Sequence, residues 1–299
     1  METGIKARPY IILFVGVLSV SFAAIFIRLA DAPPLVIATY RLGIASLVLL
    51  PFVLIRSKKA FNKLSRSDVF LMLLSSLFIA LHFALWITSL SYTSIASSVI
   101  LVTSNPLFIA IISYFLWSEK LNKSMILGII VALIGAIFIT RGGLTAGPGT
   151  LLGNVLALLA AVAMSAYLVI GRQLRMRVDI GSYLAFIYTC AAVILLVATL
   201  VAGHSLIGYS SATYIMLILL AVVPQLIGHS SLNMAVRLLP ATFVAVAILG
   251  EPVGATILGY FIIGEVPTLV EIGGGLLILG GIFMVLRQKP EVLGGKIYK

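Results

Sequence analysis

Charged residues and cysteine are scarce in this sequence. Asp, Glu, Lys and Arg together make up 10% of the 299 residues, and nine residues are acidic. Cys190 is the single cysteine, so an internal disulfide is excluded and no metal site is expected. The GxxxxGK[ST] phosphate-binding motif is absent, and no hydrophilic stretch is long enough to form a soluble ATP-binding domain. We therefore expect no cofactor, no metal and no ATP-driven activity.

Long apolar runs occupy most of the chain instead. Hydrophobic residues make up 62% of it, and the mean hydropathy is +1.22. A membrane-spanning helix needs about 20 apolar residues, whereas a barrel strand needs about 10 of alternating polarity. The sequence therefore predicts an all-α integral membrane protein with ten transmembrane helices. Their expected ranges are 9–29, 35–55, 69–90, 95–117, 124–141, 151–171, 182–202, 212–233, 241–263 and 270–287.

The chain contains an internal repeat. Residues 92–141 match residues 238–287 without insertion, each residue with the one 146 positions later. Pro106 thus matches Pro252, and Glu119 matches Glu265. A repeat of this period indicates a duplicated unit of about half the chain, and duplicated helix bundles are typical of secondary transporters.

The net charge of +11 follows the expected topology and does not indicate nucleic-acid binding. With the N-terminus inside the cell, 17 Lys and Arg residues fall on cytoplasmic segments, two fall outside (Arg28 and Arg141), and Arg41 lies within a span. This asymmetry is the positive-inside pattern. We expect a multi-pass protein of the cell membrane with both termini in the cytoplasm, in contact with anionic lipid.

Five helices in each half make the duplication an inverted repeat, because an odd number reverses the direction of the second half. The predicted first repeat covers 1–141 and the second covers 151–287. A Gly/Pro-rich linker, 142–150, separates them, and 288–299 forms a cytoplasmic tail.

The motifs resemble those of the drug/metabolite transporter superfamily, specifically its ten-helix EamA-type members. The matching positions are Leu90, Tyr92, Thr93, Asn105-Pro106, Glu119-Lys120-Leu121, Glu251-Pro252, Gly264-Glu265 and the glycine-rich last helix. The stretch from His82 to Trp86 is similar to the aromatic-amino-acid exporter branch. The resemblance implies transport of small metabolites, usually export, by alternating access.

Charged and polar residues inside the predicted spans are the candidate site. Glu251 beside Pro252 must be protonated, paired or hydrated at that depth, and it is a candidate proton carrier unless it serves only the helix kink. Arg41 must bind Glu251 or a substrate carboxylate, or extend to the outer headgroups. His82 and Trp86 share a helix face. They line a cavity, with His82 a second candidate for proton coupling, or they are packing and interface residues.

Further candidates follow from polarity and from the repeat. The paired prolines suggest the repeat interface near the membrane centre, or simple kinks. Hydroxyl and amide residues line a polar route or allow close helix packing. Glu119 and Glu265, at opposite faces, are candidate gates or solvated helix ends. The remaining residues of the predicted route are Ser104, Asn105, Pro106, His229 and Asn233.

Several functions fit this pattern. The sequence favours a secondary or facilitative transporter that exports small metabolites such as amino acids, acting as a monomer rather than a homodimer, with protons as candidate coupling ions. An importer uses the same architecture. Gly228-His229-Ser230 contains a G-x-S triplet, which leaves an intramembrane serine protease as a rival, and a receptor without flux is a third alternative.

Overall fold

The computed structural model describes residues 8–56, 65–117, 122–146, 149–174, 178, 180–239, 244 and 247–287. Helices dominate these residues, and none of them forms a strand. Eight helical segments are long and apolar enough to cross a membrane, and two shorter apolar helices, Lys123–Ile139 and Gly250–Ile263, fall in the remaining predicted spans. The prediction of an all-α membrane protein built from two repeats is confirmed.

Each predicted span contains one helix or a helix with an interruption. Their bounds are α1a Arg8–Ser21, α1b Ala23–Leu29, α2 Pro34–Arg56, α3 Arg66–Ser89, α4a Ile95–Val102, α4b Asn105–Trp117, α5 Lys123–Ala146, α6 Thr150–Leu174, α7 Ile180–Val201, α8a Ser211–Leu220, α8b His229–Leu238, α9 Gly250–Leu258 and α10 Leu269–Leu286. A π-helix, Ala221–Gly228, joins α8a to α8b, and a second one, Gly259–Ile263, extends α9.

Local sequence explains several helix starts. Ser65 forms a capping box with Asp68 at the start of α3, and Thr268 forms one with Glu271 at the start of α10. In each box, a hydroxyl accepts a bond from a free backbone N–H and a carboxylate accepts one in return. Ser94 and Ser210 cap α4a and α8a through a single side-chain bond each.

The fourth span is broken just before its proline. The Thr103 hydroxyl donates to the Val99 carbonyl (2.7 Å), and the Ser104 hydroxyl donates to the Leu101 carbonyl (2.6 Å). Pro106 consequently lies in the first turn of α4b, where a missing N–H is tolerated. In the second repeat, α9 likewise begins after Leu249, the repeat partner of Thr103. The two halves therefore share this interruption.

Helix contacts follow the repeat. The first span packs against the eighth, and the third packs against the sixth. Spans one and six are repeat counterparts, and so are spans three and eight, so each of these contacts is the repeat equivalent of the other. The second span packs against the seventh, with hydrogen bonds between Thr39 and Thr199 (2.9 Å) and between Ser46 and Thr189 (2.6 Å). This exchange of partners is the pattern that a pseudo-two-fold axis produces.

Glycines join α5 to α10 where the two helices approach most closely. A Cβ atom on Gly135 would lie 2.6 Å from the Gly274 carbonyl oxygen, and a Cβ on Gly128 would lie 2.7 Å from that of Gly281. Both distances are shorter than real Cβ contacts, so only glycine fits at this separation. Small residues are the usual means of close helix approach in membranes.

Candidate functional site

Arg41 is the centre of the candidate site. Its side chain projects from α2 into the bundle and is only 2% exposed. Its Nε donates a 2.8 Å hydrogen bond to Oε1 of Gln225, which is also 2% exposed and lies in the π-helix between α8a and α8b. The arginine therefore does not extend to the membrane surface. A charge held at this depth requires partners inside the protein.

Two aromatic rings of α3 hold the guanidinium. Arg41 Cζ lies 4.3 Å from the centroid of the Phe83 ring and 5.5 Å from that of Trp86. Desolvated cation–π contacts of this kind each stabilise the cation by up to about 2 kcal/mol. They lower the cost of burying the charge without cancelling it, so the cation remains available to an anion.

Ionisable groups surround the same point. His229 and Glu251 lie within electrostatic range of Arg41, and Tyr188 of α7 interacts with both Arg41 and Gln225. His82 Nδ1 donates a 3.0 Å hydrogen bond to the Ala160 carbonyl of α6. The His82 ring also stacks on Trp86, with their centroids 6.0 Å apart. The structure thus brings together Arg41, His82, Trp86, His229 and Glu251, five of the residues singled out from the sequence.

Two buried donors in this cluster lack a protein partner. Among the described residues, neither Nη1 of Arg41 nor Nε1 of Trp86 donates a hydrogen bond, although the two side chains are 2% and 4% exposed. An unsatisfied buried donor costs about 1–3 kcal/mol, and more when it is charged. Such a pair of donors is suited to receiving a ligand oxygen.

The other sequence candidates occupy different places. The Ser104 hydroxyl donates to the Leu101 carbonyl at the break in the fourth span, and the Ser165 hydroxyl donates to the Asn105 carbonyl (3.0 Å). Pro106 is half-buried in the first turn of α4b. Pro252 is buried and lines an apolar groove of about 180 Å³ with Ala96 and Ile100 of α4a.

Two candidate residues have side chains outside the part of the chain that the structure describes. Glu119 is not among the described residues, and the side chain of Asn233 is not described within α8b. Their predicted roles at a gate and in the polar route stay predictions.

Glu265 forms part of a polar cluster at one face of the bundle. Its Oε2 lies 3.2 Å from Nη2 of Arg28, and the same Nη2 donates a 2.8 Å bond to the Thr93 carbonyl. The Ile95 amide donates to Oε1 of Glu265. The cluster therefore ties the end of α1b to the start of α4a and to the loop before α10. Burial raises the pKa of the Glu265 carboxyl, while the Ile95 amide and Arg28 act in the opposite direction.

The neighbouring Glu271 adds hydrogen bonds to this polar cluster. Its carboxylate accepts from the hydroxyls of Ser94 and Ser97 as well as from Thr268. Beside the cluster, a space of about 190 Å³ lies between α1b, α2 and α3, lined by Arg28, Ala30, Pro34 and Leu90 among others.

Sequence reasoning missed several residues of the site. Gln225 follows Pro224 in the middle of an apolar span. This pair could have indicated a site residue from the sequence, because a buried amide next to a proline needs a specific partner. Phe83 and Tyr188 gave no signal, since aromatic residues are ordinary in membrane spans. Arg28 and Glu271 were not singled out because they lie near helix ends, where charge is common.

Comparison with known proteins identifies the family. The model of the EamA-like transporter family matches residues 7–141 and again 151–287. The chain belongs to the EamA-like transporter family. It is 27% identical to a protein named an uncharacterized transporter in Clostridium kluyveri, over 82% of this chain and 81% of that protein. It is 25% identical to the uncharacterized transporter YdfC of Bacillus subtilis, over 90% and 87% of the two chains.

A solved crystal structure shares the fold. It superposes with a TM-score of 0.63 at 19% identity, covering 94% of this chain and 97% of that one. The family placement confirms the resemblance to the drug/metabolite transporter superfamily and the prediction of a transporter rather than an enzyme. In the structure, Ser230 of the G-x-S triplet is exposed, whereas His82 is buried and bonded to Ala160.

Proposed function

We propose that this EamA-family transporter is a secondary or facilitative carrier that exports small metabolites, amino acids among them, across the cell membrane by alternating access. Both termini lie in the cytoplasm in this proposal, as the distribution of basic residues favours. Energy comes from a proton gradient or from the gradient of the substrate itself. Protons would enter through Glu251 or His82.

The polar cluster around Arg41 is the observation that carries the proposal. It combines a buried cation, two donors without protein partners among the described residues, and a nearby carboxylate, Glu251. These groups come from both repeats, because Arg41 and Trp86 belong to the first half and Gln225 and Glu251 to the second. A site shared between repeats is the arrangement that alternating access requires, since the halves move about a fixed substrate position.

The cluster of Arg28 and Glu265 supports one closed gate. With the N-terminus in the cytoplasm, α1b ends and α4a begins at the outer face, so this ion pair closes the outer side of the bundle. Opening the outer gate would separate α1b from the loop before α10. Glu119, its repeat counterpart, would have the equivalent role at the inner face.

Counterflow in proteoliposomes tests the proposal. Vesicles are loaded with one unlabelled metabolite at a time, amino acids first, and the accumulation of the same labelled compound is followed with and without an imposed proton gradient. Saturable accumulation supports carrier transport, and its response to the gradient separates proton coupling from facilitated exchange. A folded, inserted protein that exchanges no metabolite of a broad panel would contradict transport and favour a receptor.

Direction is a separate measurement. Cells that express the carrier are preloaded with the substrate found by counterflow, and its loss to the medium is compared with uptake by unloaded cells. Faster loss with unchanged uptake agrees with an exporter. Faster uptake with unchanged loss would identify an importer.

A further inference from the structure

We propose that a halide ion, chloride under cellular conditions, binds inside the bundle between Nη1 of Arg41 and Nε1 of Trp86. The halide is the counter-ion of the buried arginine. This inference goes beyond the proposed transport function and does not depend on it, because binding of an ion at this point can be measured without any substrate.

Two buried donors define the site. Arg41 and Trp86 are 2% and 4% exposed, and neither Arg41 Nη1 nor Trp86 Nε1 has a hydrogen-bond partner among the described residues. The two side chains are in contact, because Arg41 Cζ lies 5.5 Å from the centroid of the Trp86 ring. Nη1 is one bond from Cζ and Nε1 belongs to the indole, so both donors lie at one contact. A monatomic ion accepts hydrogen bonds from any direction and can therefore bind both.

Arg41 also lacks a counter-charge in contact with it. In the part of the chain that the structure describes, no carboxylate forms an ion pair with this arginine. Its Nε donates at 2.8 Å to Gln225, which is a neutral amide, and the Phe83 ring 4.3 Å from Cζ carries no net charge. A buried charge is costly unless it is paired and hydrogen-bonded. An anion on Nη1 supplies both the charge and the acceptor, and the resulting bond is charge-assisted.

Both donors are held in place before an ion binds. The bond from Arg41 to Gln225 fixes one edge of the guanidinium. The Trp86 ring stacks on the ring of His82, with the centroids 6.0 Å apart, and His82 is itself bonded to the Ala160 carbonyl at 3.0 Å. Preorganised donors lose little conformational entropy when a ligand binds.

The chemistry of the site favours a halide over other small acceptors. Water can accept both bonds but leaves the charge of Arg41 uncompensated. Phosphate and sulfate have four oxygens each, whereas the contact offers two free donors beside aromatic rings, and a buried acceptor without a donor is costly. A monovalent, monatomic anion balances the charge and leaves no oxygen unpaired. An organic carboxylate shares the negative charge, and the experiment separates it from a halide.

Quenching of Trp86 fluorescence by iodide measures the ion at the site. The chain has two tryptophans, so Trp117→Phe leaves Trp86 as the only one. The purified full-length protein in lipid nanodiscs is titrated with sodium iodide, and sodium sulfate keeps the ionic strength constant. Iodide quenches tryptophan on contact, and Trp86 is too deeply buried for frequent random collisions with dissolved iodide. We therefore expect quenching that saturates as the site fills.

Variants in the Trp117→Phe background assign the ion to Arg41. Arg41→Gln should weaken iodide binding by about tenfold or more, since a charge-assisted hydrogen bond is lost, and Arg41→Lys should retain binding in part. Arg66→Gln makes the same chemical change at an exposed residue and should leave the iodide affinity unchanged. Each variant is first shown to be monodisperse with an unshifted Trp86 emission maximum.

Competition provides a test with Arg41 in place, so it does not depend on the folding of a variant. Chloride quenches tryptophan only weakly. At a fixed concentration of iodide, chloride should therefore restore the emission of Trp86 as it displaces the iodide. Acetate at the same concentration should restore it at least about tenfold less effectively.

The outcomes are distinct from those of counterflow. Quenching that rises linearly without saturation, or that is equal with and without Arg41→Gln, would overturn the halide site. Restoration of the emission by acetate and not by chloride would overturn it in favour of an organic carboxylate. In each of these cases the transport proposal would stand. Saturable, chloride-sensitive quenching in a protein that exchanges no metabolite would support the halide site and overturn transport.

Discussion

A single methyl group on the contact between α5 and α10 should separate this helix pair. A Cβ atom added at Gly281 would meet the backbone oxygen of Gly128 and would lie 2.8 Å from both the backbone nitrogen and the Cβ of Ala132. Ordinary van der Waals contact begins at 3.4 Å, so the helices must move apart by about 0.6 Å at Ala132. The obstacles are backbone atoms, which cannot rotate away as a long side chain can.

The expected cost of Gly281→Ala is about 1–3 kcal/mol, the range for overpacking a well-packed contact. Gly280→Ala is the matched control, because it changes the adjacent residue of the same helix, and a Cβ at Gly280 meets no atom within 4 Å. Alanine there gains up to about 1 kcal/mol of helix propensity. Gly281→Ala should therefore lower stability, whereas Gly280→Ala should preserve or raise it.

Thermal unfolding of the two purified variants in one detergent, followed by fluorescence-detected size exclusion, measures the difference. We expect the apparent melting temperature to fall for Gly281→Ala and to stay level or rise for Gly280→Ala. Equal melting temperatures would refute the close α5–α10 contact. A larger fall for Gly280→Ala would place the contact on the wrong face of α10.

Three further expectations concern the gate, the topology and the chemistry. In a Cys190→Ala background, Arg28→Gln should speed the labelling of Ala30→Cys by an impermeant maleimide by up to about fivefold, because a partly exposed ion pair contributes at most about 1 kcal/mol. An unchanged rate would argue against the ion pair of Arg28 and Glu265 as a gate. In the same background, Thr145→Cys should be labelled from outside intact cells, and labelling only after lysis would reverse the proposed orientation. Ser230→Ala should leave counterflow unchanged, whereas loss of all activity would revive the protease alternative.

Much of the architecture follows from the sequence because burial in lipid imposes simple length rules. Apolar runs gave the spans, and the match between Pro106 and Pro252 gave the repeat. The rotation of each helix about its own axis could not be predicted from the sequence. Both faces of a membrane helix are apolar, so a pattern that separates core from surface in soluble proteins carries little information here. Whether Arg41 faces the bundle or the headgroups was undecidable for this reason.

The candidate site shows the same limit. Glu251 stood out because a charge in a span is costly, but its surroundings required coordinates. Asn105, its repeat partner, cannot carry a proton and is predicted to line the polar route. Its backbone carbonyl accepts a hydrogen bond from Ser165 at the break in the fourth span, and the role of its side chain stays a prediction. The π-helix that presents Gln225 to Arg41 was also hidden, because an extra residue within a helical turn leaves no mark on an apolar sequence beyond Pro224.

In the proposed function, the buried cluster around Arg41 is the transport site. Counterflow of the labelled substrate found with the wild-type protein is compared among wild-type, Arg41→Gln and Arg66→Gln proteins, each shown to be monodisperse and inserted. We expect saturable accumulation with wild type and Arg66→Gln, and loss of accumulation with Arg41→Gln. Accumulation through Arg41→Gln at the wild-type rate and apparent affinity would contradict it.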